Sequence, residues 1–220
     1  MKLDMHIHSN FSKDSRTSPK DILRYARKTG ISWVSITDHN TVQGSITALR
    51  ERMDGVKVLP GIEVSTVEGH ILGYGITECI PRGLTLEETI QRVHDLGGVV
   101  SIAHPGRFWS GVSVKRASTV KTDLIEVFNS RSSAGKNDIA RRVADDRRIP
   151  GSAGSDAHGM DEIGAGYLIV EGDAESVDHL LQMIMKGKAK AGGRSRGATG
   201  TVKYVTKCVS EWVLRGFKKI

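Results

Sequence analysis

Short apolar runs alternate with longer amphipathic stretches along almost the whole chain, and this alternation constrains the fold more than any other feature of the sequence. An apolar run bounded by turn residues reads as a buried strand and an amphipathic stretch of about ten residues as a helix. In strict succession the two make an α/β domain. Strands are predicted over 3–8, 33–37, 56–59, 99–103, 123–128, 151–154 and 166–170, and a hairpin over 63–65 and 70–75 turns at Glu68-Gly69. Helices are predicted over 19–28, 41–52, 85–96, 139–148 and 174–186. Ser18 caps the first of these with Pro19 in its first turn, and Gly30 ends it. Thr85-Leu-Glu-Glu88 is a capping box, and Gly97-Gly98 stops the helix that it opens. The result is about seven strand–helix repeats with no internal sequence repeat.

At 220 residues, with 38% apolar and 26% charged side chains, the chain can bury a real core in one domain and is far from the composition of disorder. No apolar run approaches a membrane span and the first residues are not a secretory signal, so a cytoplasmic protein with no membrane partner is expected. Cys79 and Cys208 are far apart and suggest neither a disulfide framework nor a thiolate metal site. The net charge of +7 is unevenly placed. From Lys186 onward the basic residues far outnumber the single acid, Glu211, which leaves the rest slightly acidic. Two regions are therefore expected: a catalytic body over 1–190, and over 191–220 a Gly-rich basic segment followed by an amphipathic helix carrying Val202, Val205, Val209, Trp212, Val213 and Leu214.

The histidines carry the chemistry. His6, His8, His39, His70, His104 and His158 each lie at or near the end of a predicted strand. Alternate residues of a strand point the same way, so His6 and His8 aim two imidazoles to one side, with Asp4 one step earlier on that face. By itself such a pair is either a metal clamp or two hydrogen-bonded histidines. The other strand ends tip the balance: Thr37-Asp38-His39, Gly61-Ile-Glu63, Ala103-His104-Pro105 and Ser155-Asp156-Ala-His158, with Asp14 in the first loop. In a β/α barrel all these ends open on one face. Carboxylates mixed with imidazoles, without thiolate, suit Mn²⁺, Fe²⁺ or Zn²⁺, and a carboxylate such as Glu63 can bridge two ions. Two such ions roughly 3.5–4 Å apart can hold a hydroxide between them and draw charge from a phosphoryl group.

The ordered set His6-x-His8, Asp14, Thr37-Asp38-His39, Gly61-Ile-Glu63, His70, Ala103-His104-Pro105, Glu126-Val-Phe-Asn129 and Ser155-Asp156-Ala-His158 resembles the PHP (polymerase and histidinol phosphatase) superfamily over about residues 1–190. The resemblance implies a distorted (β/α)7 barrel with a metal site at the C-terminal ends of its strands, two or three divalent ions (Mn²⁺, with Zn²⁺ or Fe²⁺ as alternatives) and hydrolysis of phosphoesters. It also implies the ligand sets. His6, His8, Glu63 and Asp156 would hold one ion, Glu63 with His70 and His104 a second, and Asp14, His39 and His158 a third. No ligand position of the pattern is missing. The stretches Gly61-Ile-Glu-Val-Ser-Thr and Gly69-His-Ile-Leu-Gly-Tyr-Gly75 resemble, more narrowly, the stand-alone branch that acts on nucleotides or RNA ends. The short interval between His104 and Asp156 leaves out the insertion that most of that branch carries, which implies a small lid.

The expected activity is a metal-dependent phosphoesterase that attacks a phosphomonoester or nucleotide-type substrate through a metal-bridging hydroxide. Arg16, Arg107 and Arg131 each follow a ligand motif in a loop, and each is either a phosphate-orienting guanidinium or a solvated surface charge. Two other activities fit the same residues. One is a 5′ to 3′ exonuclease on short RNA or DNA, with the basic tail following the backbone; the other is a non-catalytic nucleic-acid-binding subunit. Asp38 either fixes an imidazole or caps a loop, Asn129 and Glu126 are weaker site candidates, and Phe108-Trp109 are either cover or flank for a base.

Overall fold

The structure is a computed structural model and describes residues 1–195. The chain begins with β1 (Lys2–Ile7), α1 (Pro19–Lys28), β2 (Trp33–Ile36), α2 (Gln43–Glu51) and β3 (Lys57–Val58). A hairpin of β4 (Gly61–Thr66) and β5 (Gly69–Tyr74) leads to α3 (Leu86–Asp95), β6 (Val99–Ile102) and the short α4 (Val114–Ala117). Then follow β7 (Leu124–Asn129), α5 (Ala134–Arg147), β8 (Gly151–Gly154), β9 (Gly166–Val170), α6 (Val177–Met185) and β10 (Ala189–Gly193).

Local chemistry sets the helix limits. Ser18 Oγ accepts from Asp21 N at 3.2 Å, with Pro19 opening α1, and Thr85 and Glu88 complete a reciprocal capping box at α3. Both helices bury a single stripe, Ile22, Leu23 and Ala26 in α1 and Leu86, Ile90 and Val93 in α3. Each such Leu, Ile or Val side chain, fully buried, contributes about 1.5–3 kcal/mol.

The strands form two five-stranded sheets, in the orders β10-β9-β1-β2-β3 and β4-β5-β6-β7-β8. β1, β2 and β3 run parallel, as do β6, β7 and β8, while β9, β10 and the β4–β5–β6 steps are antiparallel. The sheets meet at two isolated parallel bridges, Ile7 with Ala157 and His39 with Glu63. Among the described residues this is a mixed α/β fold in two sheets, and the expected distorted barrel does not close as one hydrogen-bonded ladder. β3, with two residues, pairs only with β2, and β1 and β7 change register between Asp4 and Ile7 and between Glu126 and Phe128. At one seam the chains approach so closely that a Cβ on Gly154 would lie 2.6 Å from His6 N.

Among the elements named above, three differ most from the sequence reading. α5 begins at Ala134, not 139: Gly135 and Asn137 weaken the helical pattern, but Asn137 bonds both the N–H and the C=O of Asn129 at 3.1 Å and pins the first turn. α4 was not expected, being too short to show a period. Ala191, Gly192 and Gly193, expected in the Gly-rich linker, continue β10 along the open edge of β9. The basic segment beyond, from 196, and the amphipathic helix expected over 202–214 lie outside the described residues. Among the described residues no helix is long and apolar enough to cross a membrane.

Candidate metal centre

β1 carries His6 inward and delivers His8 just past its end, and their Nε2 atoms lie 3.2 Å apart with both rings buried. Opposite them, β4 presents Glu63, itself 1% exposed. Its Oε2 lies 3.4 Å from His6 Nε2, 3.3 Å from His8 Nε2 and 3.1 Å from His39 Nδ1. Its Oε1 faces His70 Nδ1 at 2.8 Å and His104 Nε2 at 3.0 Å. Five imidazoles therefore gather on one carboxylate. Past β8, Asp156 Oδ1 stands 3.5 Å from both His8 Nε2 and His158 Nδ1, and Asp14 Oδ2 reaches His158 Nε2 at 2.9 Å and His39 Nε2 at 3.6 Å.

All nine predicted ligands thus come together. Their donor atoms form four overlapping groups within 4.8 Å: His8, Asp14, His39 and His158; His6, His104 and Asp156; His6, His8 and Glu63; and His39, Glu63 and His70. The grouping differs from the expected sets in three respects: His8 joins Asp14, His39 and His158; His39 groups with Glu63 and His70; and His104 falls with His6 and Asp156 as well as against Glu63. His104 and Asp156 have φ of +28° and +54°, a region that costs a non-glycine residue roughly 1–3 kcal/mol and is held only where the surroundings enforce it.

A ring of polar groups turns the imidazoles. Glu126 Oε1 takes the Nδ1–H of His6 at 2.8 Å, while its Oε2 accepts from His104 N at 2.7 Å and from Asn129 Nδ2 at 3.1 Å. Ser12 Oγ donates to Asp38 Oδ1 at 2.9 Å, lies 3.1 Å from His8 Nδ1 and accepts from His39 N at 3.0 Å. With Nδ1 thus committed, the Nε2 lone pairs of His6 and His8 face the centre. Asp38 therefore acts through Ser12. Asp4 is fully buried, accepts from Ser155 N at 2.9 Å and Gly164 N at 2.8 Å, and ties β1 to the loop that carries Asp156.

Electrostatics follow from burial and crowding. Burial raises Asp4 to about 6. Burial disfavours charge on Glu63 also, but His70, His39 and His6 hold its carboxyl well below the usual range. Burial pushes His39 down, and Glu63 and Asp14 overcome it and raise the imidazole to about 10. His104 falls to about 4 through burial and Arg107, and His158 to about 3 through burial, His8 and Arg131. Burial keeps His104 and His158 neutral, whereas the surrounding carboxylates favour a proton on His6, His8 and His39, a proton that a divalent cation would displace on binding. Carboxylates and imidazoles together are the donor set of a hard or borderline divalent cation. The buried atoms Asp14 Oδ1 and His104 Nδ1 have no hydrogen-bond partner, and the residues fit such an ion.

Of the three candidate arginines, two reach the centre. Arg107 donates to Asp156 Oδ2 at 2.5 Å, and Arg131 lies against His158 Nδ1, 3.4 Å from the Asp156 carbonyl and 3.7 Å from Asp156 Oδ1. Arg16 is exposed on the first loop and makes none of these contacts. Sequence reasoning missed Ser12, since a serine in a loop carries no pattern, and it marked Ser155 only as part of the motif that contains Asp156 and His158. Asp4 was legible only as an acid on the face of His6.

A family model described as the PHP domain matches residues 4–142, and one described as PHP-associated matches residues 134–189. Two uncharacterized proteins of Methanocaldococcus jannaschii are similar. One is 39% identical over 141 residues (59% of this chain, 82% of the relative), the other 32% over 177 residues (76% and 70%). A 5′-3′ exoribonuclease of Haemophilus influenzae is 31% identical over 86 residues, 37% of this chain and 31% of that protein. Among solved structures, a two-domain protein of Bacteroides vulgatus containing a predicted PHP-like metal-dependent phosphoesterase superposes with a TM-score of 0.71 at 16% identity, covering 88% of this chain and 65% of that one.

Proposed function

The chain belongs to the PHP domain family, and from that premise we propose that it is a metal-dependent phosphoesterase hydrolysing a phosphomonoester or nucleotide-type substrate. The observation that carries this reading is the convergence of nine imidazole and carboxylate donors around Glu63, with two guanidinium groups at their edge. The two sheets are read as the halves of a distorted barrel whose strand ends form the site.

Two or three divalent ions would be held, by His6, His8, Glu63 and Asp156, by Glu63 with His70 and His104, and by Asp14, His39 and His158; Mn²⁺ is the favoured ion and Zn²⁺ or Fe²⁺ the alternatives. When bound, such ions supply positive charge that activates water and neutralises phosphoryl oxygens. The chain itself does the rest. Glu126 and Ser12 fix the imidazole tautomers so that Nε2 faces the centre. Arg107 and Arg131 offer planar forks to a phosphate, and each is oriented by Asp156. Burial of Glu63 and Asp156 strengthens each electrostatic contact made there.

Elemental analysis of purified protein, together with assays on phosphomonoesters, nucleotides and short RNAs in Mn²⁺, tests the proposal. At least two metals per chain and hydrolysis of a phosphomonoester are expected. Arg107→Ala and Arg131→Ala should raise KM. Less than one metal per chain with no hydrolysis under any condition would overturn the reading. A 5′ to 3′ exonuclease on short RNA or DNA is the second reading, favoured by the partial similarity to the Haemophilus influenzae exoribonuclease.

A further inference from the structure

Phe108 and Trp109 are 86% and 54% exposed, and their rings meet edge to face, centroids 4.9 Å apart and planes at 89°. An exposed aromatic pair offers open π-faces on which a ligand ring can stack. This one stands on a loop that the metal centre itself holds. Arg107 N donates to His104 O at 3.3 Å, His70 N donates to Ser110 O at 2.9 Å, and Gly106 N donates to Val112 O at 2.8 Å. The loop also lies flat on the β4–β5 turn, where Gly69, at φ +133°, leaves no room for a Cβ: one there would sit 2.5 Å from Val112 N. Two candidate ligands, His70 and His104, therefore anchor the segment that carries the two rings. Arg107, the residue before Phe108, points its guanidinium to Asp156.

We propose that Phe108 and Trp109 form a stacking platform for the base of a nucleotide whose phosphate lies over the metal centre beside Arg107. The inference rests on the phosphoesterase reading and narrows it to substrates that carry an aromatic ring one sugar away from the reacting phosphate. The edge-to-face geometry leaves ring surface open to a third ring, and stacking is indifferent to base identity because every base has a π-face. A platform so placed selects for the presence of a base and not for its sequence. The carbohydrate phosphates would bind through the centre and Arg107 alone.

The test compares binding to the full-length, metal-loaded protein of two hydrolysis-resistant methylene phosphonates, those of adenosine and of ribose. Titration calorimetry should find the adenosine compound bound roughly 5- to 100-fold more tightly. The double variant F108A/W109A should lose that preference and bind the ribose compound as the wild type does, while F108Y/W109F should keep most of it. Both residues are exposed, so an unchanged circular dichroism spectrum is expected for each variant. Equal affinity for the two compounds in the wild type, no binding of either, or an equal loss for both in F108A/W109A would overturn the platform. Failure to hydrolyse any phosphomonoester, nucleotide or short RNA, with the preference intact, would instead overturn the phosphoesterase reading and leave the platform standing.

Discussion

His8 shows how one residue is prepared for its task. Its Nδ1 is occupied by Ser12, whose own proton goes to Asp38, so the free Nε2 can only face Glu63 and Asp156. Glu126 does the same for His6. Removing such a partner typically costs 10- to 100-fold in metal affinity, and Glu126→Gln and Ser12→Ala should each weaken metal binding by about that factor in equilibrium dialysis, with the fold retained. His39 makes a second prediction, this one on pH. Its imidazole is raised from the ordinary 6.5 to about 10, so the folded, metal-free protein binds more protons than the unfolded chain between those values. The stability it contributes is complete below about pH 6.5 and is lost as pH rises to 10. In chelator-treated protein the thermal midpoint should fall across that interval, and His39→Gln should make the fall shallower. A divalent ion takes the place of the proton, so the loaded protein should show a smaller slope.

At the scale of elements, the site depends on how tightly β8 lies against β1. Gly154 sits where any side chain would strike the His6 backbone, and the next two residues carry Asp156 to its left-handed φ beside His8. Gly154→Ala should force these strands apart, cost about 1–3 kcal/mol and lower the metal content per chain; an unchanged thermal midpoint by circular dichroism would contradict this. Most elements could be read from the sequence because their signals are local: Ser18 and Pro19 open α1, Thr85 and Glu88 open α3, and the alternating His6 and His8 reveal one face of β1. Those that could not be read depend on distant partners. The first turn of α5 exists because Asn137 bonds Asn129, and β10 exists because β9 presents a free edge, neither of which leaves a periodic trace in its own segment.

For the whole molecule, the charge asymmetry sets the expected partner dependence. Ionised acids and imidazoles meet in the interior, whereas the basic residues Arg196, Lys203, Lys207, Arg215, Lys218 and Lys219 follow the described domain. Binding of single-stranded oligonucleotide through phosphate contacts falls with log salt at a slope of about −0.7 per contact. Removal of residues 196–220 should flatten that slope and leave hydrolysis of a mononucleotide unchanged, which kinetics across a salt series would show. A mononucleotide rate that collapses with the truncation would place the tail in the catalytic unit.

The sequence by itself determined the residue types of the site and the order of strands and helices, because spacing within a strand and capping at a helix end are properties of a few neighbouring residues. It singled out the nine residues that the fold brings together, eight of them at or near a strand end that local pattern reveals and Asp14 in the first loop. Only the tertiary structure decided which donors share an atom's reach, that Arg107 and Arg131 join them and Arg16 does not, and that the strands divide into two sheets instead of closing as one ladder. Those outcomes depend on the separation of side chains far apart in sequence. That separation is fixed by close approaches such as that of Gly154 to His6 and by shifts of register within β1 and β7, which arise when the strands pack and have no counterpart in any local run of residues.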